Sequence, residues 1–268
     1  RPHYARMALD PADPRVAEQL RSHGFAALRL GSAERELLDA AREACSAFFA
    51  APGPADKQNC RHSGPLRHPD LPALALHGLG YVSTPEYGGR EQFHLISGAA
   101  ELCTWPSAAF REAFTQGEAV LRAACLGLLG RLDAAALAEW RGQAGERGDP
   151  SVCDAFFYPA DGGSRRSRAG SVAMSGHFDP GWFTVKQGSR DGGLQVWDPL
   201  AEDWADAESG SFYEGASGST NPEDALVILA GERLATWTEG RVPAVPHRVL
   251  TCKDDRLSFI FELRDHEC

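Results

Sequence analysis

After residue 150 the chain is written in short apolar runs separated by turn residues, with no helical period between them. The runs are "VCDAFFYP", "SVAMSGHFD", "WFTVKQ", "GLQVWD", "ALVILAG", "LATWTEG", "VPHRVL" and "RLSFIFEL". Parallel neighbours need a crossover of about a dozen residues or more, usually a helix, so consecutive strands without one form antiparallel sheets. Eight short strands of this kind predict a double-sheet jelly roll or a barrel, architectures that shield or remove exposed sheet edges. Two stretches interrupt the pattern, "ADGGSRRSRAG" and "AEDWADAESGSFYEGASGSTNPED", and their Gly, Ser and charge content predicts long surface loops.

The first 150 residues have a different texture. "RVAEQLRSHG" carries Val16 and Leu20 one turn apart and ends at Gly24, which predicts a helix, and "FAALRL" follows as a short strand. From Ser32 a longer helix is expected on the stripe Leu37, Leu38, Ala41, Cys45, Phe48 and Phe49, stopped by Pro52 and Pro54. Residues 51–90 are rich in Pro, Gly and His and are expected to be an irregular connection. Pro106 suits the first turn of a second long helix whose stripe runs Phe110, Phe114, Leu121, Ala124, Leu128 and Leu132. The expected organisation is a helical and irregular region over 1–150 packed on a β core over 151–268, as one continuous unit of the α+β class.

Bulk chemistry narrows the partners. Of 268 residues, 27 are Lys or Arg against 37 Asp or Glu, a net charge of -10 that repels phosphate backbones and anionic membranes. Nucleic acid and membrane are therefore not expected as partners, and a small molecule is. No run reaches the roughly 20 apolar residues of a membrane helix, and the chain reads as cytoplasmic and monomeric. Because it opens at Arg1, an upstream targeting segment stays open. Seven Cys, odd in number and without a CxxC, fit reduced thiols and no structural zinc site.

His177 and Asp179, in "SGHFDPGW", are two residues apart on a predicted strand and so share a face. Alone the pair reads equally as a surface feature. A second run, "VPHRVL", supplies His247, and two imidazoles with one carboxylate make the facial set that suits iron(II) with coordination positions open. Arg256 and Ser258 again share a face in "RLSFIFEL", where a guanidinium can fork onto a carboxylate and a hydroxyl can complete the grip. The remaining singled-out His residues, His3, His62, His68, His77 and His266, have no such company.

With these residues in this order the sequence resembles the iron(II)- and 2-oxoglutarate-dependent oxygenases, in the branch that includes isopenicillin N synthase. "FFYP", "GHFDPGWFTV", "GGLQVWD", "LVILAGERLATWTEGRVPAVPHRVL" and "RLSFIFEL" carry the resemblance, with the Gly231-Glu232 turn ahead of the second His. "HGFAALRL", "LGYV", "GREQFHL" and the "WP" at Trp105 look like the family's helical domain. The resemblance implies a double-stranded β-helix, the cupin-like jelly roll, flanked by N-terminal helices. It implies iron(II) on His177, Asp179 and His247, and 2-oxoglutarate anchored by Arg256, Ser258 and Tyr158. It also implies a dioxygenase that uses dioxygen to hydroxylate, desaturate or cyclise a metabolite, releasing succinate and carbon dioxide. Phe156 stands where relatives often carry Asn, which alters the polar surroundings of the cosubstrate.

Strand alternation nominates Ile260 and Glu262 beside Arg256 and Ser258 as substrate-facing residues. An inward Glu262 would favour a cationic substrate; a frayed strand end would turn it to solvent. Phe183 reads as core or as a substrate contact, and Phe178 as core. Arg165, Arg166 and Arg168 read as a solvated face or an anion clamp. Two rival functions use the same motifs: an isopenicillin N synthase-like oxidase independent of 2-oxoglutarate, and a non-redox metal-binding barrel serving as isomerase, sensor or binding protein.

Overall fold

A computed structural model describes residues 10–61, 78–84, 89–160, 170, 172–189, 192–208 and 221–268. Arg165, Arg166 and Arg168, with His3, His62, His68 and His77, lie outside the described residues. The first half contains α1 (Pro14–His23), β1 (Phe25–Arg29), α2 (Ser32–Ala50), α3 (Pro54–Asn59), β2 (Gly80–Thr84), β3 (Arg90–Ile96), α4 (Ala108–Leu132) and α5 (Ala134–Arg147). The second contains β4 (Val152–Tyr158), β5 (Val172–His177), β6 (Phe183–Gln187), β7 (Leu194–Asp198), β8 (Asp203–Asp206) and β9 (Ala225–Ala230). It closes with α6 (Glu232–Trp237), β10 (His247–Leu250) and β11 (Arg256–Leu263).

Strands β4 to β11 divide between two sheets. The order β9-β6-β11-β4 forms the centre of one, and β5-β10-β7-β8 forms the other, all pairs antiparallel. This is the double-sheet jelly roll that the eight-run pattern predicts and the double-stranded β-helix that the resemblance implies, with one exchange of members. "LATWTEG" is not a strand: α6 buries Leu234 and its chain continues into a turn at Glu239 and Gly240. The missing strand is β8, inside the acidic stretch expected to be loop, where pairing with β7 sets Trp204 opposite Trp197 at 5.7 Å between ring centroids.

The first half adds strands as well as helices. β1 pairs with β9, and β3 and β2 extend the sheet beyond β4, giving seven strands. Residues 51–90 are thus not wholly irregular, and "GREQFHL" is a strand rather than part of a helical region. Its register explains why: Phe93 lies opposite Tyr81 and packs edge-on against Phe48, Phe110 and Phe114 from α2 and α4. The second long helix starts at Ala108, two residues past Pro106, because Ser107 caps it by accepting from the Phe110 amide. α1 follows its signals, with Asp13 capping, Pro14 in the first turn and Gly24 left-handed at φ 77°.

Alternation along the large sheet separates two cores. Phe183 and Val185 of β6, Phe259 and Phe261 of β11, and Ile228 of β9 face α2 and α4. Val227 and Leu229 of β9 face the small sheet, where they meet Leu194 and Val196 of β7. The helical layer lies close. A Cβ built at Gly117 of α4 stands 2.6 Å from the Ala41 Cβ and 2.9 Å from the Phe259 ring. Gly117→Ala is therefore expected to destabilise the fold by about 1–3 kcal/mol despite alanine's better helix propensity. Urea unfolding at constant m-value measures it, and an unchanged midpoint would disprove the tight crossing.

Candidate metal centre and carboxylate subsite

β5 ends on His177, and β10 begins on His247 directly opposite it in register. The two imidazole centroids are 4.3 Å apart. Asp179, two residues past β5, places one oxygen 3.6 Å from His177 Nε2 and the other 3.5 Å from His247 Nε2. One ligand atom from each side chain falls within 4.8 Å of the others. The far side of each ring fixes its tautomer. His177 Nδ1 lies 2.9 Å from the Ser175 carbonyl and His247 Nδ1 3.4 Å from that of Val245, so both can carry Nδ1–H and leave Nε2 lone pairs toward Asp179. Burial holds the His247 pKa below its ordinary value against the pull of Asp179, which keeps the ring neutral and able to ligate. Two imidazoles and a carboxylate converging from one side fit iron(II).

The turn carrying Asp179 is held from three directions. Trp182 N donates to the Leu263 carbonyl at 2.7 Å, Gly181 N to Glu262 Oε1 at 2.9 Å, and Glu232 N to the Asp179 carbonyl at 2.8 Å. Thr184, on the inward face of β6, donates its hydroxyl to Asp179 Oδ2. Losing such an outer partner costs about 10–100-fold in metal affinity. Thr184→Val is expected to weaken iron(II) binding by that factor with little change in thermal stability, as measured by anaerobic metal titration; unaltered affinity would show that the hydroxyl does not orient the carboxylate.

The inward face of β11 carries Arg256, Ser258, Ile260 and Glu262, as alternation predicts. Arg256 stands opposite Tyr158 and Ser258 opposite Phe156. The Arg256 guanidinium lies 5.5 Å from the centre of the Tyr158 ring. Arg256 is 1% exposed, its Nε donates to the Gly192 carbonyl at 2.8 Å, and its Nη1 is buried without a hydrogen-bond partner among the described residues. A buried donor left unpaired is costly, so this nitrogen fits a bound carboxylate.

Two nominated substrate residues are placed elsewhere. Glu262 is neither frayed to solvent nor open to a cationic substrate: it is 4% exposed, one oxygen takes the Gly181 amide and the other Arg264 Nη2 at 2.5 Å. Its role is to clamp the metal turn to β11. Phe183 is fully buried on the helix-covered face of β6, opposite to Thr184, and cannot reach the lumen. Phe178 is not core, being 46% exposed between His177 and Asp179. Ile260 remains inward and half-buried, opposite Asp154 and Lys186. His266 is a satisfied structural residue, with Nε2 2.9 Å from the Gly148 carbonyl.

Several inward groups have no sequence motif. Asp154 accepts from Gln92 Nε2 at 2.8 Å and lies 2.6 Å from His94 Nδ1, making a polar wall on β3 and β4. Deeper in, Lys186 of β6 pairs with Glu208, which follows β8, and Glu208 also reaches Arg256. The same-face position of Lys186 was legible from its spacing to Thr184; that of Glu208, in an acidic loop, was not. A separate cavity of about 750 Å³ between α2 and α4 is lined by Leu28 and Leu226, on the opposite face of the large sheet from the triad. All seven Cys are free thiols. No helix among the described residues is long and apolar enough to cross a membrane.

Comparison with known proteins agrees with this geometry. The chain superposes on the rice dioxygenase for auxin oxidation with a TM-score of 0.64 at 22% identity, covering 93% of this chain and 76% of that one. The Arabidopsis thaliana dioxygenase for auxin oxidation 1, in its 2-oxoglutarate complex, gives a TM-score of 0.64 at 20% identity, over 94% and 86% of the two chains. A Neurospora crassa protein solved with alpha-KG and 5-formyluracil gives a TM-score of 0.64 at 16% identity, over 94% and 77%. Likeness at these identities shows the shared fold. No curated protein matches the sequence. The family model of the 2OG-Fe(II) oxygenase superfamily matches residues 151–265, the stretch that contributes His177, Asp179, His247 and Arg256. Residues 151–265 therefore match the 2OG-Fe(II) oxygenase superfamily, the non-haem iron dioxygenases that use iron(II), 2-oxoglutarate and dioxygen.

Proposed function

We propose that the chain oxidises a small-molecule metabolite, with iron(II) held by His177, Asp179 and His247 and the distal carboxylate of 2-oxoglutarate held by Arg256, Ser258 and Tyr158. The observation that carries this reading is the pairing of a convergent two-His, one-carboxylate set with a buried guanidinium whose Nη1 lacks a partner, both facing inward. Bound iron with its cosubstrate and dioxygen supplies an oxidant strong enough to break a carbon–hydrogen bond, with succinate and carbon dioxide as the coproducts.

This chain's residues supply position and exclusion. The Ser175 and Val245 carbonyls hold the imidazoles by Nδ1, and Thr184 holds Asp179, so the three donors keep their facing arrangement without a ligand to organise them. Tyr158 and Phe156 wall the carboxylate subsite with aromatic surface, and the Arg90 guanidinium lies 5.1 Å from the centre of the Phe156 ring. Burial raises the Tyr158 pKa, against the nearby Arg256 and Arg90, so its hydroxyl stays protonated and can donate to a carboxylate. Ile260 and the Gln92, His94, Asp154 wall are the groups we assign to substrate contact.

A small-molecule substrate agrees with the neighbours, two named for auxin oxidation and one solved with 5-formyluracil. Anaerobically purified protein given iron(II), 2-oxoglutarate and dioxygen is expected to release succinate, faster when a metabolite panel contains the substrate. Substrate oxidation at full rate without 2-oxoglutarate would establish the oxidase alternative instead, and equal activity with zinc would remove the redox reading.

A further inference from the structure

The deep end of the lumen holds two cations and one carboxylate, all buried. Lys186, Glu208 and Arg256 are 4%, 4% and 1% exposed. Glu208 divides its oxygens: Oε1 takes the Lys186 ammonium, while Oε2 accepts from the Leu194 amide at 2.9 Å and lies 3.3 Å from Arg256 Nη2. Its backbone is fixed as well, since Glu208 N donates to Asp206 Oδ1 at 2.9 Å and Ala207 N to the Leu194 carbonyl at 2.9 Å. The cluster therefore carries one surplus positive charge, and the guanidinium reaches Glu208 through Nη2 alone, while Nη1 has no partner among the described residues.

A carboxylate beside a guanidinium ordinarily closes onto it as a two-point fork, the strongest geometry available to the pair. Here it does not, because the Lys186 ammonium holds the other oxygen. We propose that Glu208 is an internal competitor for the cosubstrate's anchor, and that Lys186 is the positioning residue that draws it aside so that Arg256 Nη1 stays free for the distal carboxylate of 2-oxoglutarate.

The charge states support the arrangement. Burial lowers the Lys186 pKa to about 8 against the pull of Glu208. Burial would raise the Glu208 pKa, but Lys186 and Arg256 outweigh it and hold the carboxyl below its usual value, ionised at neutral pH. Removing the ammonium leaves an ionised carboxylate whose nearest cation is Arg256. Removing the Glu208 charge instead leaves two cations for one ligand carboxylate.

The inference rests on the reading of Arg256 as the distal-carboxylate anchor, and equilibrium binding tests the two separately. Affinities for 2-oxoglutarate and for pyruvate, a 2-oxo acid without the distal carboxylate, are measured by anaerobic calorimetry on the iron(II)-loaded protein. Lys186→Met is expected to weaken 2-oxoglutarate at least about tenfold, the worth of a hydrogen bond to a charged group, and to leave pyruvate unchanged. Adding Glu208→Gln to it is expected to restore 2-oxoglutarate to within a few-fold of wild type, and Glu208→Gln alone to leave it equal or tighter. A purely structural pair gives the opposite signs: weaker binding in Glu208→Gln and no rescue in the double variant, which overturns the proposal. Glu208→Gln keeps both Lys186 and Arg256 and decides the matter even if Lys186→Met does not fold. If Arg256→Met leaves the preference of 2-oxoglutarate over pyruvate intact, the anchor itself has been misassigned, and the inference falls with it.

Discussion

His247→Ala is expected to abolish iron-dependent turnover and to lower iron(II) affinity by more than about 100-fold, the upper range for losing even an outer partner of a metal ligand. The expectation follows from geometry. The ring is 6% exposed, lies opposite His177 on the neighbouring strand of the small sheet, and is the only one of the three proposed ligand residues that is buried. Without it the remaining donors, His177 and Asp179, come from one short segment, and no third His, Cys, Asp or Glu atom completes a metal set among the described residues. Stability gives a readout independent of turnover. Iron(II) at a hundred times its dissociation constant stabilises the wild-type fold by about 2.7 kcal/mol, and this increment should vanish in the variant while the metal-free midpoint moves little. His266→Ala is the control, since that imidazole serves the Gly148 carbonyl and should retain the full increment. A metal-induced rise in midpoint that survives in His247→Ala would remove His247 from the site.

The jelly roll was legible because its signal is local and repeated. Alternation sorts β11 into Arg256, Ser258, Ile260 and Glu262 on one face and Leu257, Phe259 and Phe261 on the other, and the structure keeps that division. The triad was legible for a related reason: His177 ends β5, Asp179 follows two residues later in the turn, and their partner opens another strand. What failed was local pattern under tertiary control. "LATWTEG" has strand composition, yet Gly231 starts a helical turn there because α6 must lie against the metal turn. Asp203–Asp206 has loop composition, yet becomes a strand through its pairing with β7.

The same limit governs single side chains. Glu262 points inward as its register requires, but whether an inward carboxylate serves a ligand or a backbone amide depends on Gly181, 81 residues away in sequence. Phe183 failed by one position of register, which moves a side chain from lumen to helix layer. Glu208 left no trace at all, because an acidic residue between Gly, Ser and Asp reads as solvated until Lys186 and Arg256 are brought to it from two other strands.

Gly231→Ala is the second large effect expected, and it tests the link between backbone packing and the metal site. The φ of Gly231 is -96°, a conformation open to any residue, so strain in the backbone itself is not the reason for glycine. Space is the reason: a Cβ there would stand 2.1 Å from the Gly181 carbonyl oxygen and 2.8 Å from that of Asp179. Both obstructing atoms are main chain and cannot rotate away. Either α6 or the Asp179 turn must shift, and the turn is also tied by the Leu263 carbonyl and Glu262. Overpacking of this kind costs about 1–3 kcal/mol and can exceed it, a fall of several degrees in midpoint for a chain of this size. Gly142→Ala in α5, where no atom lies within 4 Å of the added Cβ, should instead stabilise by up to about 1 kcal/mol. The distinguishing result is in metal binding. If α6 alone yields, Gly231→Ala lowers stability with unchanged iron(II) affinity; the hydrogen bond from Glu232 N to the Asp179 carbonyl ties the two together, so affinity is expected to fall with stability. Retained affinity at reduced stability would show that Asp179 is positioned by Thr184 and Glu262 without help from the Gly231-Glu232 turn.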